Sequence, residues 1–251
     1  MTRKIGLTSN SLAAFCVIPE SAWNAINGRV DRVIQVEPCS ETISKNLATY
    51  PELLVVCHRW KDETFLGLAN QSRQLETYSV QAINDFKDLK DRLTNLGDEV
   101  TVLPDDIKQQ AKNAFSNLNR SSIELSISFS ALAKQIEDFH DINSRFDGEV
   151  ISKNISGYII WFGPFNKSSS DVMNAIGMAM GEWIAITSDL EYVASEQIDI
   201  DMPFLLGLDI DIALDSWNQI LNEAKAFGEW QKEVLFRDSV KNEFPVINFF
   251  E

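Results

Sequence analysis

The sequence predicts an all-α protein, an elongated up-down bundle of four to five long helices, and three observations predict it. Long stretches place apolar residues at alternating steps of three and four, which draws one apolar seam along a helix. Glycine and proline are few, 11 and 7 in 251 residues, where short strands joined by many turns would need more of both. Hydrophobic residues make up 45% and charged residues 24%, the balance of a chain that buries a core.

The elements follow in order. Residues 1–50 read as a region of short helices and loops. Pro19–Gly28 is expected to be a short helix stopped by Gly28. Val30–Val36 suits a short strand before Pro38, and Ser40 opens a further helical turn. The apolar stretch Leu12–Ile18 is short and follows Thr8, Ser9, Asn10 and Ser11, so it does not read as a signal peptide.

Residues 51–146 hold the first two long helices. Pro51 suits a first turn, with Leu53, Val56, Cys57 and Trp60 on the apolar face. Phe65, Leu68, Ser72, Leu75, Ser79, Ala82, Phe86, Leu89, Leu93 and Leu96 then continue the seam until Gly97. At 1.5 Å per residue this helix is roughly 65–70 Å long. After Pro104, Asp105 and Asp106 mark a helix start. The second seam runs through Ile107, Ala111, Ala114, Leu118, Leu125, Leu132, Phe139, Ile142 and Phe146, passing Ser121 and Ser128, and stops at Asp147-Gly148. Inside it, Ile123–Phe129 alternates with a strand's period. Helix is preferred because the heptad register holds on both sides.

Residues 147–168 break the pattern with Gly148, Gly157, Gly163 and Pro164. Between them stands the apolar run Tyr158, Ile159, Ile160, Trp161 and Phe162, followed by Phe165. This reads as a small apolar head or tongue, short enough for a β-hairpin. Aromatic side chains among glycines suit a bilayer interface, because the rings bury carbon and keep a polar edge wet. Residues 169–251 hold the last two helices and a tail. Ser168–Asp171 is expected to cap the third, which carries Val172, Ile176, Ala179, Trp183, Ile186, Leu190 and Val193. The fourth starts after Pro203 with Leu208, Ile212, Trp217, Leu221, Ala224 and Phe227, and the tail Phe244–Glu251 is apolar.

The composition and motifs exclude several functions. A net charge of −15 repels a phosphate backbone, so no nucleic-acid partner is expected. It repels an anionic bilayer as well, so any membrane contact must rest on apolar insertion or a receptor. Cys16, Cys39 and Cys57 lack Cys-x-x-Cys spacing and read as small buried hydrophobes. His58 and His140 each stand alone, and no phosphate loop or nucleophile elbow occurs. The aspartates 199, 201, 209, 211 and 215 alternate with isoleucine and flank Pro203. They lack the glycine and terminal glutamate of an EF-hand loop and fit helix ends on a solvated face. No catalytic residue, cofactor or metal is expected, and no run of 18 apolar residues forms an ordinary transmembrane helix.

Three features resemble the α-helical pore-forming toxins of the hemolysin BL and cytolysin A type. Tyr50-Pro-Glu-Leu-Leu-Val-Val-Cys-His-Arg-Trp60 opens a long heptad helix with a Trp after an apolar turn. An apolar interruption divides the second and third long helices. Two Trp-bearing helices close the chain, Gly181–Leu190 and Ala213–Ala224. The similarity covers roughly residues 45–230. It implies a secreted toxin subunit, without a recognisable signal peptide and soluble before membrane association, that forms homo- or hetero-oligomers with partner subunits on a target-cell membrane. The membrane-interacting residues would be Tyr158, Ile159, Ile160, Trp161, Phe162 and Phe165. The head is shorter than a main pore-lining component usually carries, which points to a subunit that needs a partner. The alternative from the residues alone is a cytosolic helical scaffold or adaptor, in which residues 158–165 are internal packing.

Overall fold

The computed structural model describes residues 6–96, 102–155, 162, 166–195 and 200–241, with backbone alone at 166–168 and 235–241. Among these residues the regular elements are helices and no strand occurs. They are α1 (Glu20–Gln35), α2 (Ser40–Asn46), α3 (Tyr50–Arg59), α4 (Phe65–Leu96), α5 (Asp105–Ser152), α6 (Asn166–Ala194), α7 (Met202–Leu206) and α8 (Ile210–Lys241). A π-helical turn at Trp60–Thr64 joins α3 to α4, so 47 residues run as one rod. The 48 residues of α5 give a second rod of about 70 Å.

The heptad seams are the core. Phe65, Leu68, Ser72, Leu75, Ser79, Ala82, Phe86 and Leu89 are all buried. In α6, Val172, Ile176, Ala179, Trp183, Ile186, Leu190 and Val193 are buried as well. The alternating stretch Ile123–Phe129 is helical: Leu125 and Phe129 point inward, while Ile123 and Ile127 are exposed. In α8 the seam is offset from its expected start. Ile212 is 62% exposed, and Ile210, Ala213 and Ile220 are buried instead.

Several expected boundaries are wrong. Val30–Val36 is no strand; Val30 to Gln35 end α1 with Val36 as its C-cap, and Gly28 does not stop that helix. Trp23, Ile26, Val30 and Val33 recur at helical steps and are buried, with Arg29 among them. A charged residue inside the seam hides its period. Nor does α5 end at Asp147-Gly148, because Asp147 and Val150 are buried and continue the inward face. It ends where Asn154 takes a left-handed φ of 57° and the Ile155 N–H donates to Val150 O, a Schellman-type stop. Helix α6 begins at Asn166, so Ser168–Asp171 lie inside it. Gly97, and the tail from Phe244 onward, lie outside the described residues.

Long rods must cover each other's seams. α4 packs most extensively on α8, and α5 on α6, with a narrower contact between α4 and α5. Direction follows from the pairs. Lys90 of α4 donates to Asp211 near the start of α8, while Gln231 near the end of α8 donates to Phe65 O. The backbones of α6 and α8 hardly approach each other. Their gap is closed by the rings of Trp183 and Trp217 on either side of Tyr78 and by the N-terminal segment through Asn10–Ala13. α1 then packs on α3 and α6. Trp23 lies among Trp60, Phe65, Phe227 and Trp230.

Candidate functional site

The aromatic connection between α5 and α6 is the candidate site, and its base is built from α5, α1 and α3. The last inward turns of α5 present Phe139, Asn143, Phe146, Asp147 and Val150. Phe139 stacks on Trp60 with ring centroids 4.4 Å apart. Asn143 and Asp147 accept from the buried Arg29 guanidinium, through Nε at 2.8 Å and Nη2 at 2.6 Å. That guanidinium also lies 5.9 Å from the Phe146 ring centroid, which adds a cation–π attraction. Thus α1 is pinned to the end of α5 by a buried charge pair.

Glu149 ties the same end to α3. Its carboxylate accepts from the backbone N–H groups of Ala48 and Thr49 at 2.9 Å and from the Thr49 hydroxyl at 2.6 Å. It caps the incoming end of α3 from a distant part of the chain. Burial alone would raise its pKa, but the hydrogen bonds from Lys153, Thr49 and Ala48 favour the ionised form more strongly and hold it at about 2.

Onto this base comes Phe162. It is 1% exposed and meets Phe146 edge-on at 5.5 Å. Its carbonyl accepts two bonds from Arg32, at 2.8 and 3.2 Å. Tyr158, Ile159, Ile160, Trp161 and Phe165 lie outside the described residues. The structure therefore places one of the six expected membrane-interacting side chains, and that one packs against the end of the bundle. Sequence reasoning did not identify Arg29, Arg32, Asn143, Asp147 and Glu149. The one available signal was a polar residue interrupting each apolar seam.

The other polar candidates are dispersed. His58 pairs with Glu37 at 3.1 Å on the surface, and His140 shares a 3.1 Å hydrogen bond with Ser169. Asp201 caps α7 by accepting from Phe204 N–H, and Asp211 pairs with Lys90. Asp199 lies outside the described residues. Beside Asp211 an open cleft of about 660 Å³ is lined by Leu93, Met202, Leu205 and Leu208, with Leu206 and Ile212 exposed at its edge. Burial pushes the Cys57 thiol up to about 12, partly offset by Arg29. Burial and Glu223 raise Cys16. Such thiols are protonated and poor nucleophiles near neutral pH.

Among the described residues, no helix is long and apolar enough to cross a membrane. No group of three or more His, Cys, Asp or Glu residues there is placed to hold a metal ion. Comparison with family models, curated proteins and solved structures finds no match to this chain.

Proposed function

We propose that this chain is a subunit of a secreted α-helical pore-forming toxin, which oligomerises on target membranes with partner subunits and perturbs them through residues 157–165. The observation that carries the reading is the position of the aromatic run. In sequence it lies between the 48-residue α5 and the 29-residue α6. In a chain of net charge −15 this run is uncharged from Ile155 to Asn166. An uncharged aromatic segment in a charged chain suits entry into the interfacial layer of a bilayer. The run is too short to reach across a hydrocarbon core of about 30 Å as a helix, so the subunit acts with partners.

Flotation with phosphatidylcholine vesicles tests the reading. The wild-type chain is expected to float, and Trp161→Asp to remain at the bottom of the gradient with an unchanged melting temperature. Equal behaviour of the two proteins counts against the tongue.

A second reading is favoured by one observation. Phe162 is buried against Phe146 and its carbonyl is held by Arg32, as internal packing in a helical scaffold or adaptor would require. Under that reading Trp161→Asp lowers the melting temperature by several degrees and no lipid binding exists to lose.

A further inference from the structure

The α6/α8 side of the bundle is closed by residues 6–18, which are not part of either rod. Leu7, Leu12, Ala13 and Phe15 of this strap are buried. Phe15 stands edge-on to Phe129 of α5 and Phe227 of α8, each at 5.3 Å, so one ring bridges two helices of different pairs. The strap's own backbone bonds are local turns, Leu12 N–H to Ser9 O and Cys16 N–H to Ala13 O. Among the described residues, Gly6 N–H donates to Asp189 Oδ2 at 2.8 Å and Trp217 Nε1–H to Leu7 O at 3.1 Å, tethering its start to the rods.

The fit is imperfect. Thr8 Oγ1 on the strap, and Trp183 Nε1 and Thr187 Oγ1 on the facing stretch of α6, are buried without a hydrogen-bond partner. Unsatisfied buried polar groups weaken an interface relative to one that is fully paired. The opposite seam, between the 47-residue rod and α5, also has unpaired atoms, Asp85 Oδ2 and Asn119 Oδ1, but it is crossed by direct polar contacts. The Thr64 hydroxyl donates to Gln135 Oε1, the Ser128 hydroxyl donates to Gln71 Oε1, and the Gln71 amide donates to Leu125 O. At the end of the strap the anchorage changes. Val17 is exposed while Ile18 is buried, Pro19 precedes α1, and α1 is fixed by the buried Arg29–Asp147 pair.

We infer that residues 6–18 are a removable wedge, and that their withdrawal opens the bundle between α6 and α8 into two hairpins, α4/α8 and α5/α6, hinged on the polar α4/α5 seam. The hinge of the wedge itself is Val17–Pro19, since α1 stays anchored. The inference stands without the membrane reading.

Distances between spin labels test it in the full chain with Cys16, Cys39 and Cys57 replaced by alanine. One pair spans the gap, Ile184→Cys on α6 with Asn218→Cys on α8. A control pair spans the α4/α8 hairpin, Thr77→Cys with Asn222→Cys. With the strap intact both pairs should give one narrow distance. Phe15→Asp should add a population longer by about one helix diameter, roughly 10 Å, to the first pair and leave the control unchanged. If Phe15→Asp loses its helical circular dichroism, Asp189→Ala/Trp217→Phe, which removes the acceptor for Gly6 N–H and the donor to Leu7 O, is judged by the same criterion. An unchanged first pair, or equal broadening of both pairs, overturns the wedge.

Discussion

Arg29 is wholly buried and binds Asn143 and Asp147, so its loss is costly. Arg29→Ala leaves the Asp147 carboxylate buried without its cation. Breaking a buried pair from one side typically destabilises by about 3–5 kcal/mol. Replacing both partners, Arg29→Met with Asp147→Leu, should recover most of that loss. Urea unfolding of the single and double variants checks it. Glu149 supplies a pH signature at the same end. Its folded pKa of about 2 lies below the ordinary 4.5, so its contribution is fully present above about pH 4.5 and is lost as pH falls towards 2. Glu149→Gln should therefore lower stability at pH 7 by about 1 kcal/mol, the usual value of a lost cap. The gap from wild type should close on acidification through that window. Cys57 gives a third reading: buried, with its thiol raised to about 12, it should react with a neutral-pH thiol reagent only after unfolding.

The seams of α4, α5 and α6 were legible in the sequence because they are long and carried by large apolar residues. A second inward stripe of α5 was not, since beside Phe115, Phe129 and Ile136 it includes the polar Ser122 and Asn143, all buried. The strand expected at Val30–Val36 failed for the same reason: Arg29 interrupts an otherwise helical pattern. At the N-terminus no period exists to read, because the strap holds its place through single side chains, Leu12 and Phe15, and not through a repeated face. The aromatic run was legible in the sequence, but the base beside it was not, since its polar residues Arg29, Arg32, Asn143, Asp147 and Glu149 come from two separate helices, α1 and α5. Two glycines of α6 carry a prediction at this scale. A Cβ at Gly177 or Gly181 would meet nothing within 4 Å, so each mid-helix glycine only costs helix propensity. Gly177→Ala and Gly181→Ala should each stabilise by about 0.5–1 kcal/mol, read from the urea midpoint. Gly67 is different, since its Cβ would fall 2.5 Å from Leu132 Cδ2, and α5 must yield or Leu132 change rotamer.

For the whole molecule, the physical constraint is that rods of 47 and 48 residues expose more apolar seam than any one neighbour covers. α8 and α6 cover most of it, and α1 and the strap cover the rest. Of the apolar run between α5 and α6, Phe162 packs against Phe146 and accepts from Arg32. The direct measurement of what the run does is an environment-sensitive fluorophore on Trp161→Cys in a chain otherwise free of cysteine, titrated with phosphatidylcholine vesicles, with the same dye on exposed Ile184→Cys as reference. Entry of the run into lipid predicts a blue shift and a several-fold rise in emission at position 161 and no change at 184. Emission at 161 that ignores the vesicles would contradict the account.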